Sequence, residues 1–117
     1  MSFQFFDRED FACKCGCGLN EIRDDFIRFL DKARERAGIP FVVNSGYRCP
    51  ENDEKVGGKG NHTTGTAADI RVRNSHERFL VVNALLNLGA KRVGPAKTFV
   101  HVDVNPEKPG QRLWLYS

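Results

Sequence analysis

Two short runs constrain this chain more than any others: Ala67-Ala68-Asp69-Ile70-Arg71-Val72 and Phe99-Val100-His101-Val102-Asp103-Val104. Side chains of a strand alternate between its two faces. Ala68, Ile70 and Val72 therefore share one face of the first run, and Val100, Val102 and Val104 share one face of the second. The opposite faces carry Asp69 with Ala67 and Arg71, and His101 with Phe99 and Asp103. Strands of this kind need a sheet with one side on a core and the other side facing polar chemistry. If the two strands pair, Asp69, His101 and Asp103 converge.

The remaining elements fit such a sheet. Ile22, Phe26, Phe29, Leu30, Ala33 and Ala37 recur at the spacing of one buried helical face. Asn20 reads as its cap, with Glu21, Asp24 and Asp25 as acids in the first turn, and Gly38 and Pro40 end it. Phe41-Val42-Val43 is a short strand running into Ser45. Pro50 to Val56 suits a short helical turn with proline at its start. Gly57-Gly58-Lys59-Gly60-Asn61 must be a loop, since glycine makes either regular structure costly. Ser75 is the expected cap of a second main helix that runs through Phe79-Leu80-Val81-Val82 to Leu88 and stops at Gly89. Arg92-Val93-Gly94 begins a strand before Pro95, and Arg112 to Tyr116 is read as the last strand. The expected fold is α+β, a small, mostly antiparallel sheet with two main helices packed on one side. Residues 1–117 are expected to form one domain, with residues 1–19 as a cysteine-containing N-terminal arm.

Composition excludes several classes of function. Hydrophobic residues at 40% and charged residues at 28% are those of an ordinary globular chain. The longest apolar runs are far too short to cross a membrane, so no membrane insertion is expected. The 18 basic and 15 acidic residues are spread along the chain, leaving a net charge of +3. That is no nucleic-acid footprint, though it favours approach to an anionic polymer such as a bacterial cell wall. The first residues have no basic start followed by a long apolar segment, so no secretory signal is expected. A monomer is the expected state.

Three cysteines crowd into Cys13-Lys14-Cys15-Gly16-Cys17, and Cys49 directly follows Arg48. Three readings stay open: a disulfide, with a long-range tie to Cys49 favoured over strained bonds between alternate residues; a thiolate metal site, although metal knuckles usually space their cysteines by two or more residues; or reduced thiols. A tie to Cys49 would brace the loop that carries Arg48.

The chemistry concentrates between Ser45 and Asp69. His62 follows the glycine loop and precedes Asp69 by seven residues. Two imidazoles, His62 and His101, with the Asp69 carboxylate suit Zn²⁺, whose catalytic sites use three protein ligands and leave a fourth position to water. Against this, a histidine is more often structural, Asp69 can simply cap a turn, and His76 at the start of the second helix is expected in solvent. No Ser-His-Asp signature is present, and the glycine run lacks the spacing of a nucleotide-phosphate loop.

Four ordered motifs carry a resemblance: Ser45-Gly46-Tyr47-Arg48, Val56-Gly57-Gly58, His62-Thr63-Thr64-Gly65-Thr66-Ala67-Ala68-Asp69-Ile70 and Phe99-Val100-His101-Val102-Asp103-Val104. Together they resemble the zinc D-alanyl-D-alanine carboxypeptidase and murein endopeptidase family, peptidase family M15, subgroup A, with its Hedgehog/DD-peptidase fold. The cysteine arm is similar to that of many small phage and prophage members. The resemblance implies that His62, Asp69 and His101 bind zinc and that Arg48 binds a substrate carboxylate, with Tyr47 beside it as a further substrate contact. It also implies hydrolysis of a peptidoglycan stem or cross-link peptide by a zinc-bound water, of carboxypeptidase or endopeptidase type. A lysin-like route, with cytoplasmic synthesis and release to the wall, goes with it. Many relatives carry an acid three positions before the last histidine, where this chain has Thr98, and a serine two positions before the first, where it has Gly60. Asp103 is then the candidate proton carrier, with orientation of a ligand as its alternative role. The rival to an enzyme is a non-catalytic, zinc-stabilised wall-binding or signalling domain, since Hedgehog signalling domains carry zinc on this fold without evident peptidase use.

Overall fold

The computed structural model describes residues 3–58, 60–105, 108 and 110–116. Its helices are α1 (Asp24–Ala37), α2 (Pro50–Lys55) and α3 (Ser75–Asn87). Its strands are β1 (Val43–Ser45), β2 (Ala67–Arg71), β3 (Arg92–Pro95), β4 (Phe99–Asp103) and β5 (Arg112–Leu113). The sheet order is β1-β2-β4-β3-β5, antiparallel at every pairing except β3 with β5. The α+β architecture is the expected one.

The apolar faces meet as the alternation requires. Ala68, Ile70 and Val72 from the β2 run and Val100 and Val102 from β4 join Phe26, Ile27, Leu30 and Ala33 of α1 and Val81, Ala84 and Leu85 of α3 in one core. Fully burying a side chain the size of Leu or Phe contributes about 1.5–3 kcal/mol, so this face dominates the sheet's stability. Val104 falls beyond the strand and is exposed.

Local expectations fail where a side chain has a tertiary task. Asn20 does not cap α1, which begins at Asp24 behind Arg23 with no side-chain cap. Instead the Asn20 amide donates to the Arg8 carbonyl at 2.7 Å while its oxygen accepts from the Ile22 N–H at 3.3 Å. Asn20 thus ties the arm to the segment leading into the helix. Asn74, not Ser75, caps α3, its side chain accepting from the Glu77 N–H at 2.8 Å. The first strand begins at Val43 rather than Phe41, whose side chain is buried in the core. The last strand is shorter than expected. Past Leu113 the chain still follows β3 through Trp114 N–H to the Val93 carbonyl and Tyr116 N–H to the Pro95 carbonyl, both at 3.1 Å.

The arm is part of the core. Phe6 and Phe11 are buried in it, and the Phe11 carbonyl accepts from the Tyr47 N–H at 2.7 Å. Gly46 allows this approach: a Cβ there would lie 2.6 Å from the Phe11 Cα.

Candidate metal centre

Sheet register brings the site together. Asp69 of β2 stands directly opposite His101 of β4, and His101 stands opposite Gly94 of β3. His62 comes from the 3-10 turn Asn61–Thr64 just before β2. The three residues place one ligand atom each within 4.8 Å of the others. Asp69 Oδ1 lies 2.9 Å from His101 Nδ1 and 3.5 Å from His62 Nε2.

Both imidazoles are aimed from behind. His62 Nδ1–H donates to the Gly46 carbonyl at 2.9 Å, which leaves the Nε2 lone pair for the cleft. The His62 carbonyl in turn accepts from the Arg48 N–H at 3.0 Å. His101 Nε2 pairs with Asp103 Oδ2 at 2.7 Å, which turns Nδ1 toward Asp69. Asp103 is completely buried and also accepts from Arg92 Nε at 2.7 Å and from the Asn105 N–H at 3.3 Å. Arg92 lies over the Trp114 ring, 5.0 Å from its centroid. Gly94 makes room for that indole, since a Cβ there would come within 2.5 Å of it.

The charges are mutually dependent. Burial opposes ionisation of Asp69, but hydrogen bonding to His101 and His62, with their charge, outweighs it and holds the carboxyl well below the usual range. Burial likewise opposes a charged His101, and bonding to Asp103 and Asp69 overrides it, raising the imidazole pKa. Asp103 is lowered despite burial by His101 and Arg92. The two carboxylates flanking His101 thus favour its protonated form, and hydrogen bonds link the cluster.

These residues fit zinc. A tetrahedral centre with bonds of about 2.0–2.1 Å to nitrogen and oxygen has edges of about 3.3 Å, and the observed 2.9 and 3.5 Å bracket that value. The donor set is two neutral-capable imidazoles and one ionised carboxylate, each His held by a partner on its other nitrogen, as metal-binding histidines usually are.

The three candidate ligands form part of a cleft of about 340 Å³ whose walls include Arg48, Phe99 and Tyr116 and the Val56-Gly57-Gly58 segment. Arg48 is held in place by Asp53 Oδ1 at 2.8 Å and Ser45 Oγ at 3.0 Å. Asp53 is buried, and its other oxygen accepts from the Gly60 N–H at 3.0 Å. Gly58 packs so closely on this carboxylate that a side chain there would strike it.

Two of the expected site residues lie outside the cleft lining. Tyr47 does not reach the cleft. It is buried beside the arm, its hydroxyl donating to Glu21 at 3.0 Å, and burial with the Glu21 bond pushes the phenol up to about 12. Arg48, the next residue, turns the opposite way. Asp103 is not at the cleft either: it sits behind His101, sealed from solvent, so the structure supports its orienting role over a proton-carrying one. Thr98 is exposed in the turn before β4 and is not among the cleft residues.

Other residues escaped sequence reasoning. Asp53 gives no signal in a short polar helix, since its task depends on a loop folding back over it. Trp114 and Tyr116 read as strand residues. Their rings lie 5.5 and 6.4 Å from the His101 ring, and Tyr116 carries the one hydroxyl among the described cleft residues.

Comparison with curated proteins gives no match. The family model described as Peptidase M15 matches residues 4–103, a span that takes in the arm, Arg48 and all three candidate ligands. A zinc-compatible triad in a cleft and a match over most of its length lead to one conclusion: the chain belongs to the peptidase M15 family.

Proposed function

We propose that this protein is a zinc-dependent peptidase acting on peptidoglycan stem or cross-link peptides. One observation carries the reading: His62 Nε2, Asp69 Oδ1 and His101 Nδ1 converge in a cleft whose wall presents a braced arginine. When bound there, zinc supplies a Lewis acid that activates water and polarises the scissile carbonyl.

The chain's own groups do the rest. His62 and His101 would hold the ion through Nε2 and Nδ1, since Gly46 and Asp103 occupy their other nitrogens. Arg48 pairs with a substrate carboxylate through the forked geometry of guanidinium, and Asp53 and Ser45 fix that fork before substrate arrives. Phe99 and Val56 offer apolar wall to the peptide. Tyr116, which lines the cleft, would offer its hydroxyl as a donor to the oxygen on which charge develops; burial, acting with the charges of Asp69 and Asp103 against Trp114 and Arg92, raises its pKa, so it keeps its proton at neutral pH.

Incubating zinc-loaded protein with purified stem peptides and with whole sacculi, then identifying the muropeptides by mass spectrometry, tests the reading and names the bond. Intact substrates after such treatment would sink it. A second reading, a zinc-stabilised wall-binding domain without turnover, is favoured by one feature. Asp69 is the one carboxylate among the described cleft residues, and it is itself a candidate ligand. Binding to sacculi without release of fragments would select that reading.

A further inference from the structure

A second cluster of ligand atoms joins three arm cysteines to Cys49, and none of the four lines the cleft. We propose that Cys13, Cys15, Cys17 and Cys49 form a closed tetrathiolate zinc centre that clamps the N-terminal arm to the loop carrying Arg48.

The four sulfurs lie within 4.8 Å of one another. Zn–S bonds of about 2.3 Å in a tetrahedron place sulfurs about 3.8 Å apart, whereas a disulfide places them about 2.0 Å apart. Cys13 and Cys15 sulfurs are 3.5 Å apart and those of Cys15 and Cys49 are 3.7 Å apart. No pair is bonded, and both spacings are near those of a shared ion.

The short spacing of the cysteines suits this chelation. Cys13, Cys15 and Cys17 lie along a tight turn followed by bends, not an extended strand, which lets a short run fold its sulfurs inward. Gly16 and Gly18, at φ 88° and 78°, then curl the chain through a conformation that favours glycine, so the three sulfurs close on Cys49 instead of spreading along a line.

Three of the four sulfurs accept N–H donors. Backbone N–H groups of Leu19, Cys49 and Asn52 donate to the sulfurs of Cys17, Cys13 and Cys49 at 3.4, 3.3 and 3.4 Å. The Asn52 side-chain amide donates to Cys13 at 3.8 Å. Donors aimed at sulfur favour its anionic form. Simple burial of small apolar side chains does not account for the cluster, because Cys15 and Cys17 are exposed. Four soft ligands with no open position select a tetrahedral structural ion such as zinc.

The position gives the ion a purpose. Cys49 is the residue on which α2 starts, and Asp53 within α2 holds Arg48. An ion bound to three arm cysteines and Cys49 would fix the start of that helix, and with it the anchor for substrate.

Metal analysis and cobalt substitution of the full chain test this independently of peptidase activity. We expect about two zinc ions per chain. The cobalt form should show thiolate-to-cobalt charge-transfer bands, which the His62, Asp69 and His101 set cannot produce. The Cys15→Ser, Cys17→Ser double variant should lose those bands and one ion. A His62→Ala, His101→Ala double variant should lose the other ion and keep the bands. In the unaltered protein, iodoacetamide should label the four cysteines only after chelation. Absence of thiolate bands, an intact mass lower by the hydrogens of a disulfide, or iron as the sulfur-bound ion would each overturn the assignment.

Discussion

The two groups of candidate metal ligands are built in opposite ways. His62, Asp69 and His101 are supported by the sheet: the β2–β4 register fixes two of them, and Gly46 and Asp103 aim the imidazoles. The four cysteines stand on a turn-rich arm and a loop, with two of them exposed. The first set has three ligands and opens on a cleft, and the second has four. Open three-ligand sites suit catalysis and closed four-ligand sites suit structure. The first set is braced by strand pairing and by hydrogen bonds behind its imidazoles, so an ion there adds chemistry. The second has little apolar packing around Cys15 and Cys17, so an ion there adds order.

Substitutions can break or sharpen this contrast. The largest effect is expected from His101→Ala, which should remove cleft zinc and abolish peptide hydrolysis while thiolate-bound metal persists, as measured by metal content and muropeptide release. Asp103→Ala should cost about 3–5 kcal/mol in denaturant unfolding, because it removes the buried carboxylate that pairs with both His101 and Arg92; the milder Asp103→Asn should weaken cleft zinc about 10–100-fold in a competition titration. Tyr116→Phe should lower kcat about 100-fold with zinc retained, the effect of removing one donor to a developing oxyanion. An unchanged kcat would reduce Tyr116 to a wall. Arg48→Lys is expected to be the smallest, raising KM about 10-fold because an ammonium cannot reproduce the fork. A fall in kcat alone would move Arg48 from binding to chemistry.

Much of the architecture was legible because alternation in Ala67–Val72 and Phe99–Val104 has a period that only a strand explains. It separated Ile70 and Val100 from Asp69 and His101, and the core follows. Register is a long-range property and carries no local signal, so the pairing of Asp69 with His101 had to be assumed. The same limit hid Asp53, whose partner Arg48 is near in sequence but whose position depends on Gly58 and Gly60 folding over it. Asn20 misled because an amide that caps helices equally well ties an arm to its neighbour. Tyr47 misled because adjacency to Arg48 says nothing about which way each side chain turns. Asp103 shares a strand face with His101, yet that face is closed at its position by Arg92.

Gly46 has one further consequence. Its α-carbon side meets the backbone of Phe11, and its carbonyl receives the His62 proton that sets the tautomer of that imidazole. The arm and the candidate ligand are thus in contact through a single residue with no side chain. Natural recombination that exchanged the first twenty residues as a cassette would have to preserve this seam to within a few tenths of an ångström. The arm should therefore be inherited with the cleft, and diversification of the protein should occur at other joints.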